Sequence, residues 1–562
     1  MTEPVSPLQF PLQLPIPLDG LPVGVRHCIV QLLNIIQAQT KELQQLREEN
    51  AQLRKEIAVL KGQKPAKGEG KPPEPSSPPK NRSSENERQE SKPRERRRTP
   101  LEIDTTQRLC MDRTLLPPDA EFKGCEQTII QDIVLRRNNI AFEREKYYSA
   151  MEGRSFLAPL PAGFTGSEYG PGVRSMVLVL HHACGVTQPK LLAFLESTGI
   201  QISSGEISNL LTRNLEQFHQ EKTELFDAGL KSSPWQQIDD TGTPFDGERW
   251  HCHTVCNPLY TAFVTRPSKD RATVVEVLRN GRECEYRVSE DVIKQLRQLG
   301  VGSRWLEALA TIPSTLVMTD DDLGHRLAAC GSMSSATWKK IADACLVEGY
   351  RRSTDGPVVK ALLTDDAATF RGITEEHGLC WVHEGRLFKC LTPAIALFAE
   401  EREKFLDGYW DYYRQLRAFR SAPCPDKAKQ LSAQFDKVFS METTYIELGE
   451  RIALSRAKKD ELLLVLTHPE LPLHNNEAEL AARDRVRKRD ISLSAHSIEG
   501  IAAWDTFQSI VATVRKLGVG IVDYIQDRLR GVHKIPRLAD LIRQKAAQLH
   551  LGASWEAPLL TE

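Results

Sequence analysis

Apolar residues near the start of the chain are spaced three and four positions apart. The residues that follow this spacing alternate between the a and d positions of a heptad, and they are Ile29, Leu32, Ile36, Leu43, Leu46, Leu53, Ile57 and Leu60. This heptad predicts a short coiled coil, in which Asn50 occupies an a position that can fix the register of a parallel dimer, while Gln39 weakens the seam. We expect residues 1–62 to carry a helix that pairs with a second copy. The alternative is an amphipathic helix packed on its own domain.

Residues 63–100 are rich in Pro, Ser, Lys and Glu and nearly free of apolar side chains. Such a segment cannot bury enough apolar surface to offset the entropy lost on ordering, so we expect a disordered linker. The linker ends in the basic run Arg94–Arg98, which either lies along DNA phosphates without reading sequence or is simply solvated.

A helical period is present in residues 156–230, where apolar residues recur three and four apart. The three segments that show it are GVRSMVLVLHHACGV, QPKLLAFLEST and SSGEISNLLTRNLEQFHQ. Three helices with short joints are expected, and Ser203 or Ser204 ahead of Glu206 is typical of an N-cap. The pattern fits a helix-turn-helix whose second helix enters the major groove. On the pattern alone, a helical bundle that binds no ligand fits better.

The apolar period changes to two from Trp235 onward. WQQIDDTGTPF and RWHCHTVC flank Asp246-Gly247, a strong hairpin turn, and LYTAFVT follows as a third segment. These segments predict three antiparallel strands. A helix from Ala272 to Leu278 comes next. After an insertion at about 280–355, the apolar run PVVKALLTDD predicts a buried strand.

The order of three antiparallel strands, a helix, a parallel strand and helices matches the layout of a ribonuclease-H-like fold. We therefore predict a multidomain α/β protein with helical insertions in its core. The first part of the catalytic core is expected at 231–390, an almost wholly helical insertion at 391–465, and the second part of the core at 466–535. A C-terminal tail at 536–562 completes the chain.

Composition indicates the cellular compartment of the protein but not its activity. The chain has 562 residues with 74 Lys and Arg against 75 Asp and Glu, so net charge gives no indication of nucleic acid and any basic surface must be local. Its 12 cysteines, without a charged and apolar leader, favour reduced thiols in the cytoplasm. No apolar run is long enough to predict a membrane span.

Three acids lie where a metal site could form: Asp239 on the first strand, Asp365 at the end of the fourth, and Glu479 in the first turn of a helix that begins after Asn475-Asn476. Carboxylates are the ligands that Mg²⁺ and Mn²⁺ require, and two such ions about 3.5–4 Å apart can stabilise both oxygens of a phosphodiester displacement.

Each acid also has an ordinary structural interpretation. Asp239 could be a strand-end residue and Asp365 could cap a following helix. Glu479 could close a capping box if Asn476 is the N-cap. Asp320 follows an apolar run much as Asp365 does, so it is a competing candidate for the second acid.

Several segments together resemble the insertion-sequence-66 (TnpC-like) family of DDE transposases. They are QIDDTGTPF (237–245), LLTDDAATF (362–370), GLCWVHEGRLFK (378–389) and LPLHNNEAELAARDRVRKRD (471–490), with Tyr169 to Gly172 as a further Tyr-Gly-Pro-Gly motif. The resemblance implies a DNA transposase that binds element-end inverted repeats. It also implies strand cleavage and strand transfer with two Mg²⁺ or Mn²⁺ ions.

Matched residue by residue, the resemblance makes Asp239, Asp365 and Glu479 the catalytic, metal-binding acids, and Cys380 with His383 an accessory Cys-x-x-His. It also implies a group of DNA-binding cations, which are Arg386, Arg483, Arg487, Lys488 and Arg489. Because Arg483 lies one turn after Glu479, an ordinary ion pair between them is the alternative.

The chain departs from the family pattern at Asp240, His474 and Leu480, where Glu, Asp and Arg are usual. The zinc-finger-like region at 101–155 keeps only Cys110 and Cys125, too few for a tetrahedral site, so no zinc is predicted there. A zinc site at Cys380 and His383, with His377 and Cys390 nearby, is an alternative that we rank below an orienting role for this pair.

Two other functions fit the same residues: a DNA-binding protein that has lost catalysis, and a nuclease of the same fold that only hydrolyses. The expected partners are DNA at the element ends and at the target, a second copy of the chain or a higher oligomer, and companion proteins of the same element. No membrane partner is expected.

Overall fold

The structure is a computed structural model that describes residues 12, 18, 20–60, 103–112, 115–117, 120–493 and 495–557. The predicted linker at 63–100, with its basic run Arg94–Arg98, lies outside the described residues. A mixed α/β architecture, as predicted, is confirmed: helices surround a single five-stranded mixed sheet. No helix among the described residues is both long and apolar enough to cross a bilayer.

The N-terminal helix α1 (Val23–Leu60) divides into two halves with different surroundings. In the first half, Leu33 is buried, and the buried Gln37 accepts a hydrogen bond from the Ala394 amide and donates one to the Thr392 carbonyl at 3.1 Å. In the second half the apolar stripe is exposed at Leu43, Leu46, Leu53 and Ile57. The first half therefore packs on its own chain through Leu33 and Gln37, while the heptad residues Leu32 and Ile36 are exposed there as well.

The region at 120–157 is mostly irregular and contains one hairpin, formed by β1 (Lys146–Ser149) and β2 (Arg154–Leu157). Cys110 and Cys125 are exposed free thiols.

Four helices, not the three expected, precede the sheet: α2 (Pro171–His182), α3 (Gln188–Ser197), α4 (Ser204–Thr212) and α5 (Glu216–Lys231). The last predicted helix is split because Asn214 adopts a left-handed φ of 56°. Of the two serines predicted as N-cap, Ser203 is the N-cap, since its side chain accepts from the Glu206 amide at 3.1 Å. Buried Ile207, Leu210 and Leu211 fix α4 against its neighbours.

Three antiparallel strands form as predicted: β3 (Trp235–Phe245), β4 (Glu248–Asn257) and β5 (Tyr260–Arg266). The turn between β3 and β4 uses positive φ at Asp246 and Gly247, the geometry that a tight hairpin requires. After α6 (Arg271–Arg279), strand β6 (Ala361–Thr364) pairs parallel to β3. An unpredicted strand, β7 (Glu376–Leu379), pairs parallel to β6, so the order is β5-β4-β3-β6-β7.

Both predicted insertions are helical. The first contains α7 (Glu290–Gln298), α8 (Ser303–Ala310), α9 (Asp320–Ala328) and α10 (Ser335–Arg351). After α11 (Trp381–Lys389), the second contains α12 (Ala396–Ser421), α13 (Pro425–Val438), α14 (Ile446–Arg456), α15 (Lys459–Leu462) and α16 (Leu464–Thr467). Its aromatic core surrounds Trp381, whose ring nitrogen donates to the Leu462 carbonyl at 2.8 Å.

The remaining helices are α17 (Asn476–Ser492), α18 (Ile498–Leu517), α19 (Ile521–Arg530), α20 (Leu538–Leu549) and α21 (Ala553–Glu556). Helix α18 covers the edge strand β5. Its Asp505, Ser509 and Thr513, one turn apart, accept hydrogen bonds from three successive outward-facing amides of β5 at 2.7, 2.9 and 3.2 Å. The edge is therefore closed to further strand pairing. The predicted tail contains α20, which packs on α5.

Candidate active site

Asp239 lies in β3, and Asp365 directly follows the parallel strand β6. The register pairs Gln237 with Leu363. Continuing both strands by two residues brings Asp239 beside Asp365, on the same face, because neighbouring strands lie about 4.8 Å apart and side chains alternate with a period of two. The structure therefore brings the first two predicted acids together.

The pKa of Asp239 is raised to about 7, chiefly by burial and next by the charge of the Asp365 carboxylate. The charges of Asp240 and Glu479 raise it further, whereas the Asp240 amide, which donates to Asp239 Oδ1 at 2.9 Å, acts in the opposite direction. A carboxyl group that retains its proton near neutrality marks a position where negative charge is crowded and uncompensated. Such positions are frequent in active sites.

Glu479 reaches the same site from the first turn of α17. The helix is anchored to β3 by Asn475, whose side-chain amide donates to the Ile238 carbonyl at 2.9 Å, one residue before Asp239. Asn475 is buried, and its carbonyl accepts from the Glu479 amide at 3.1 Å. One amide side chain thus links the strand of the first acid to the helix of the third.

The capping-box interpretation of Glu479 is wrong. The N-cap is Asn475, not Asn476, and its side chain bonds to the strand and caps no helix amide. The carboxylate of Glu479 faces two guanidinium groups instead, those of Arg386 at 3.2 Å and Arg483 at 2.5 Å. Cations therefore lie next to this acid, as predicted. The ion pair between Arg483 and Glu479, which was the alternative, also forms.

Asp365 and Asp239 also lack the structural roles that we considered as alternatives. Strand β3 continues through Phe245, so Asp239 is not at a strand end. No helix follows Asp365, whose Oδ1 accepts from the Ala367 amide at 3.1 Å in a turn. Asp320, the competing second acid, is exposed at the start of α9 in the first insertion, after the N-cap Thr319.

Cys380 connects the two parts of the site. Its amide donates to the Thr364 carbonyl at 3.0 Å, and its sulfur accepts from the Asn475 amide at 3.3 Å. Burial raises the pKa of the thiol, so it stays protonated at neutral pH. Cys380 thus holds the end of β6 against the start of the Glu479 helix, which is an orienting position.

His383 lies one turn along α11 and its Nε2 is 3.2 Å from a guanidinium nitrogen of Arg386, the residue that contacts Glu479. The other members of the alternative zinc set do not join this pair. His377 contacts Thr364 at 2.8 Å and Glu461 at 3.0 Å, and Cys390 is exposed.

The remaining predicted cations are dispersed. Arg487 is 71% exposed beside Asp484, and Arg489 donates to the Gly242 carbonyl of β3 at 2.6 Å. Lys488 is buried, and its ammonium donates to the ring nitrogen and the carbonyl of His181 at 3.0 and 2.9 Å. The structure therefore places Lys488 inside the protein, with its ammonium engaged by His181.

Sequence reasoning missed two groups near the site. Asn475 belongs to the Asn-Asn motif noted in the sequence, but its role in joining α17 to β3 is evident only from the structure. Asp366, beside Asp365, contacts both Arg371 and Lys458. Nothing in the sequence connects Lys458, in the second insertion, with the end of β6.

As the side chains stand, no three His, Cys, Asp or Glu groups among the described residues converge closely enough to hold a metal ion. Glu479 is turned toward guanidinium groups. The donor set nevertheless suits a hard divalent cation, because Asp239 and Asp365 offer adjacent carboxylate oxygens. A cation there would offset the repulsion between these carboxylates, which together with burial raises the pKa of Asp239.

Comparison with known proteins identifies the family of the chain. Residues 340–503, which include Asp365, Cys380 and Glu479, match the model of the transposase IS66 family. The chain is also 31% identical over 333 residues to the uncharacterized protein y4jO of Sinorhizobium fredii (strain NBRC 101917 / NGR234), an alignment that covers 57% of this chain and 99% of that protein. The chain belongs to the IS66 family of transposases.

Proposed function

We propose that this protein is a metal-dependent DNA transposase that binds element-end inverted repeats and catalyses strand cleavage and strand transfer. The observation that carries the proposal is that Asp239 of β3 and Asp365, directly after the parallel strand β6, lie beside each other on the five-stranded sheet. The helix that carries Glu479 is anchored to β3 by Asn475.

The three carboxylates would hold two Mg²⁺ or Mn²⁺ ions, which supply nucleophile activation and stabilisation of the leaving oxygen. The ligands and the phosphate-binding groups would be side chains of the protein. Asp239 and Asp365 would provide adjacent oxygen ligands, and Glu479 would be the third ligand in place of its contacts with Arg386 and Arg483. Arg386 and Arg483 are then placed to bind a phosphate of the strand, because guanidinium groups pair well with phosphate oxygens.

DNA recognition is proposed for the helices that precede the sheet. Helices α3 and α4 follow one another as in a helix-turn-helix, and α4 keeps Ser204, Ser208 and Thr212 on its less buried face. The exposed heptad stripe of α1 supports self-association through a coiled coil. Companion proteins of the element, and a location in the cytoplasm close to the nucleoid, belong to the same proposal.

The test is Mg²⁺- or Mn²⁺-dependent cleavage and joining of labelled element-end DNA. Native protein is compared with Asp239→Asn, Asp365→Asn and Glu479→Gln, and with Asp320→Asn as a matched exposed control. We expect all three site variants to lose both steps while still binding DNA, and the control to keep them.

Full activity in any site variant would remove that residue from the proposed site. Cleavage by the native protein without joining, with companion proteins supplied, would favour the hydrolytic nuclease. Tight binding without either step would favour a DNA-binding protein that has lost catalysis.

A further inference from the structure

A basic groove borders the start of the catalytic helix. It has a volume of about 480 Å³ and is lined by Tyr413, Arg414, Arg417 and Arg420 of α12 and by Leu473 and His474 of the segment before α17. None of the described residues that line it carries a carboxylate. A concave surface lined by three guanidinium groups favours the binding of anions.

The arginines form a row because of their spacing. Arg414, Arg417 and Arg420 are three residues apart on α12, so they follow one face of the helix. Arg420 supports the row from within: its guanidinium donates to the Pro469 and Glu470 carbonyls at 3.1 and 3.2 Å. Those bonds hold the segment that leads to His474 against α12.

Arg414 lies nearer the solvent than Arg420. Its side chain is 58% exposed, and it contacts Asp411, which is 65% exposed, one turn earlier. Exposed ion pairs contribute only about 0–1 kcal/mol, so this contact does not prevent Arg414 from binding another anion.

One chain segment joins the groove to the acids, because Leu473 and His474, which line the groove, are followed at once by Asn475 and the Glu479 helix. The Leu473 carbonyl accepts from the Trp381 amide at 3.0 Å, next to Cys380. Asn475 bonds to the Ile238 carbonyl, one residue before Asp239. The groove and the three acids therefore flank the same short segment.

The length of the arginine row favours a polymer over a free ion. Three guanidinium groups are spread along two turns of α12, more than a single phosphate needs. A phosphate with its flanking sugars fills more of such a space, and the planar guanidinium forks suit the paired oxygens of a phosphodiester.

We propose that this groove on α12 binds a backbone phosphate of the DNA strand that occupies the catalytic site, through Arg414 and Arg417. The inference rests on the proposed function, because it takes DNA as the substrate. It assigns the second helical insertion a direct part in holding that DNA.

The test compares full-length native protein with Arg414→Gln, Arg417→Gln and the double variant. The control is Lys404→Gln, an exposed cation on the same helix outside the groove. Affinity for a labelled element-end duplex is measured in EDTA at several KCl concentrations. Each lost phosphate contact is expected to reduce the slope of log K against log salt by about 0.9, and the control is expected to keep the native slope.

A second measurement locates the contact on the DNA. Methylphosphonates are placed one at a time near the cut position, and native protein should lose affinity at one of them. That loss should disappear in Arg417→Gln and persist in Lys404→Gln. Arg414→Gln changes an exposed side chain, so it tests the groove even if Arg417→Gln disturbs folding.

Unchanged salt slopes and an unchanged methylphosphonate profile in the double variant would overturn the inference. A second result would also overturn it: inorganic phosphate stabilises the native protein but not Arg417→Gln, and the two proteins bind DNA equally well. The groove would then bind a free anion. Cleavage on the same DNA separates the two proposals. If native protein and Asp365→Asn cut this DNA equally well, the proposed catalytic role of Asp365 is wrong. The salt slopes still test the groove in that case.

Discussion

The side-chain amide of Asn475 donates a hydrogen bond to the backbone carbonyl of Ile238 at 2.9 Å, and this bond ties the helix of Glu479 to the strand of Asp239. Replacing Asn475 with Ala leaves a buried carbonyl unpaired, which costs about 1–3 kcal/mol of stability. A shift of about 1 Å in a catalytic group can lower a rate by about 10²-fold. We expect strand cleavage to fall by about that factor while DNA affinity is retained. Leu480→Ala, an exposed change on the same helix, is the control, and equal rates in both variants would contradict the anchoring role.

Cys380 should be needed for its hydrogen bond and not for its reactivity. Its sulfur accepts from the Asn475 amide at 3.3 Å. Cys380→Ser keeps an acceptor and should retain most cleavage activity, whereas Cys380→Ala should lose activity about as Asn475→Ala does. Cys390→Ala serves as an exposed control. Thiol titration of native protein should label Cys390 rapidly and Cys380 only on unfolding, because burial keeps the Cys380 thiol protonated. Rapid labelling of Cys380 would contradict the assignment.

The buried pair Arg485–Asp505 joins α17 to α18. Its atoms are 3.0 Å apart, and Asp505 also accepts from the Thr265 amide of β5. Asp505→Ala should lower the free energy of unfolding by about 3–5 kcal/mol, because it leaves a buried guanidinium without its counterion. The double variant Arg485→Met, Asp505→Leu should be less destabilised than the single variant. Denaturant titration measures both, and a single variant that is as stable as native protein would show that the pair contributes nothing.

Lys488 should make stability depend on pH. Burial lowers the pKa of its ammonium from 10.5 to about 7, with the charge of Arg485 as a smaller cause. Between pH 7 and 10.5 the unfolded chain therefore binds more protons at this residue than the folded chain. Stability should rise with pH in that window, by at most about 1.4 kcal/mol per pH unit. The stability difference between native protein and Lys488→Met, followed by denaturation from pH 7 to 9, should grow in favour of the native chain. A constant difference would show that Lys488 does not titrate there.

The outer half of α1 should control assembly. Leu46 and Leu53 are 47% and 55% exposed on the heptad stripe, whereas Leu33 is buried against the second insertion. Leu46→Lys with Leu53→Lys should therefore convert a dimer to a monomer without unfolding the chain, as measured by light scattering after gel filtration. The matched control is the exposed change Glu48→Lys, outside the a and d positions. A native protein that is monomeric at micromolar concentration would contradict the coiled coil.

The sheet and the acids could be predicted because their signals are local. Alternation, the Asp246-Gly247 turn and an apolar run ending in acids specify strands without knowledge of the fold. Strand β7 could not be predicted in this way, since its four residues, Glu376–Leu379, show no alternation and are placed by pairing with β6.

The surroundings of individual side chains were harder to predict than the helices and strands. Lys488 belongs to a basic run, but α17 turns it toward His181 and away from solvent. Gln39, which weakens the heptad on sequence grounds, lies near Gln37, whose amide is used in packing α1 against the second insertion. A helix with two partners along its length cannot be recognised from one repeating pattern.

The closing of β5 by α18, and the placing of Glu479 by α17, have a consequence for synthesis of the chain. Asp239 and Asp365 leave the ribosome well before Glu479, and the helix that seals the edge strand leaves later still. During that interval the nascent sheet has an open edge and an incomplete set of acids. Domains generally fold as units during synthesis, and unpaired strand edges favour aggregation. We therefore expect nascent chains that stop before α17 to be both inert toward DNA and dependent on chaperones, so that cutting activity arises only when the protein is nearly complete.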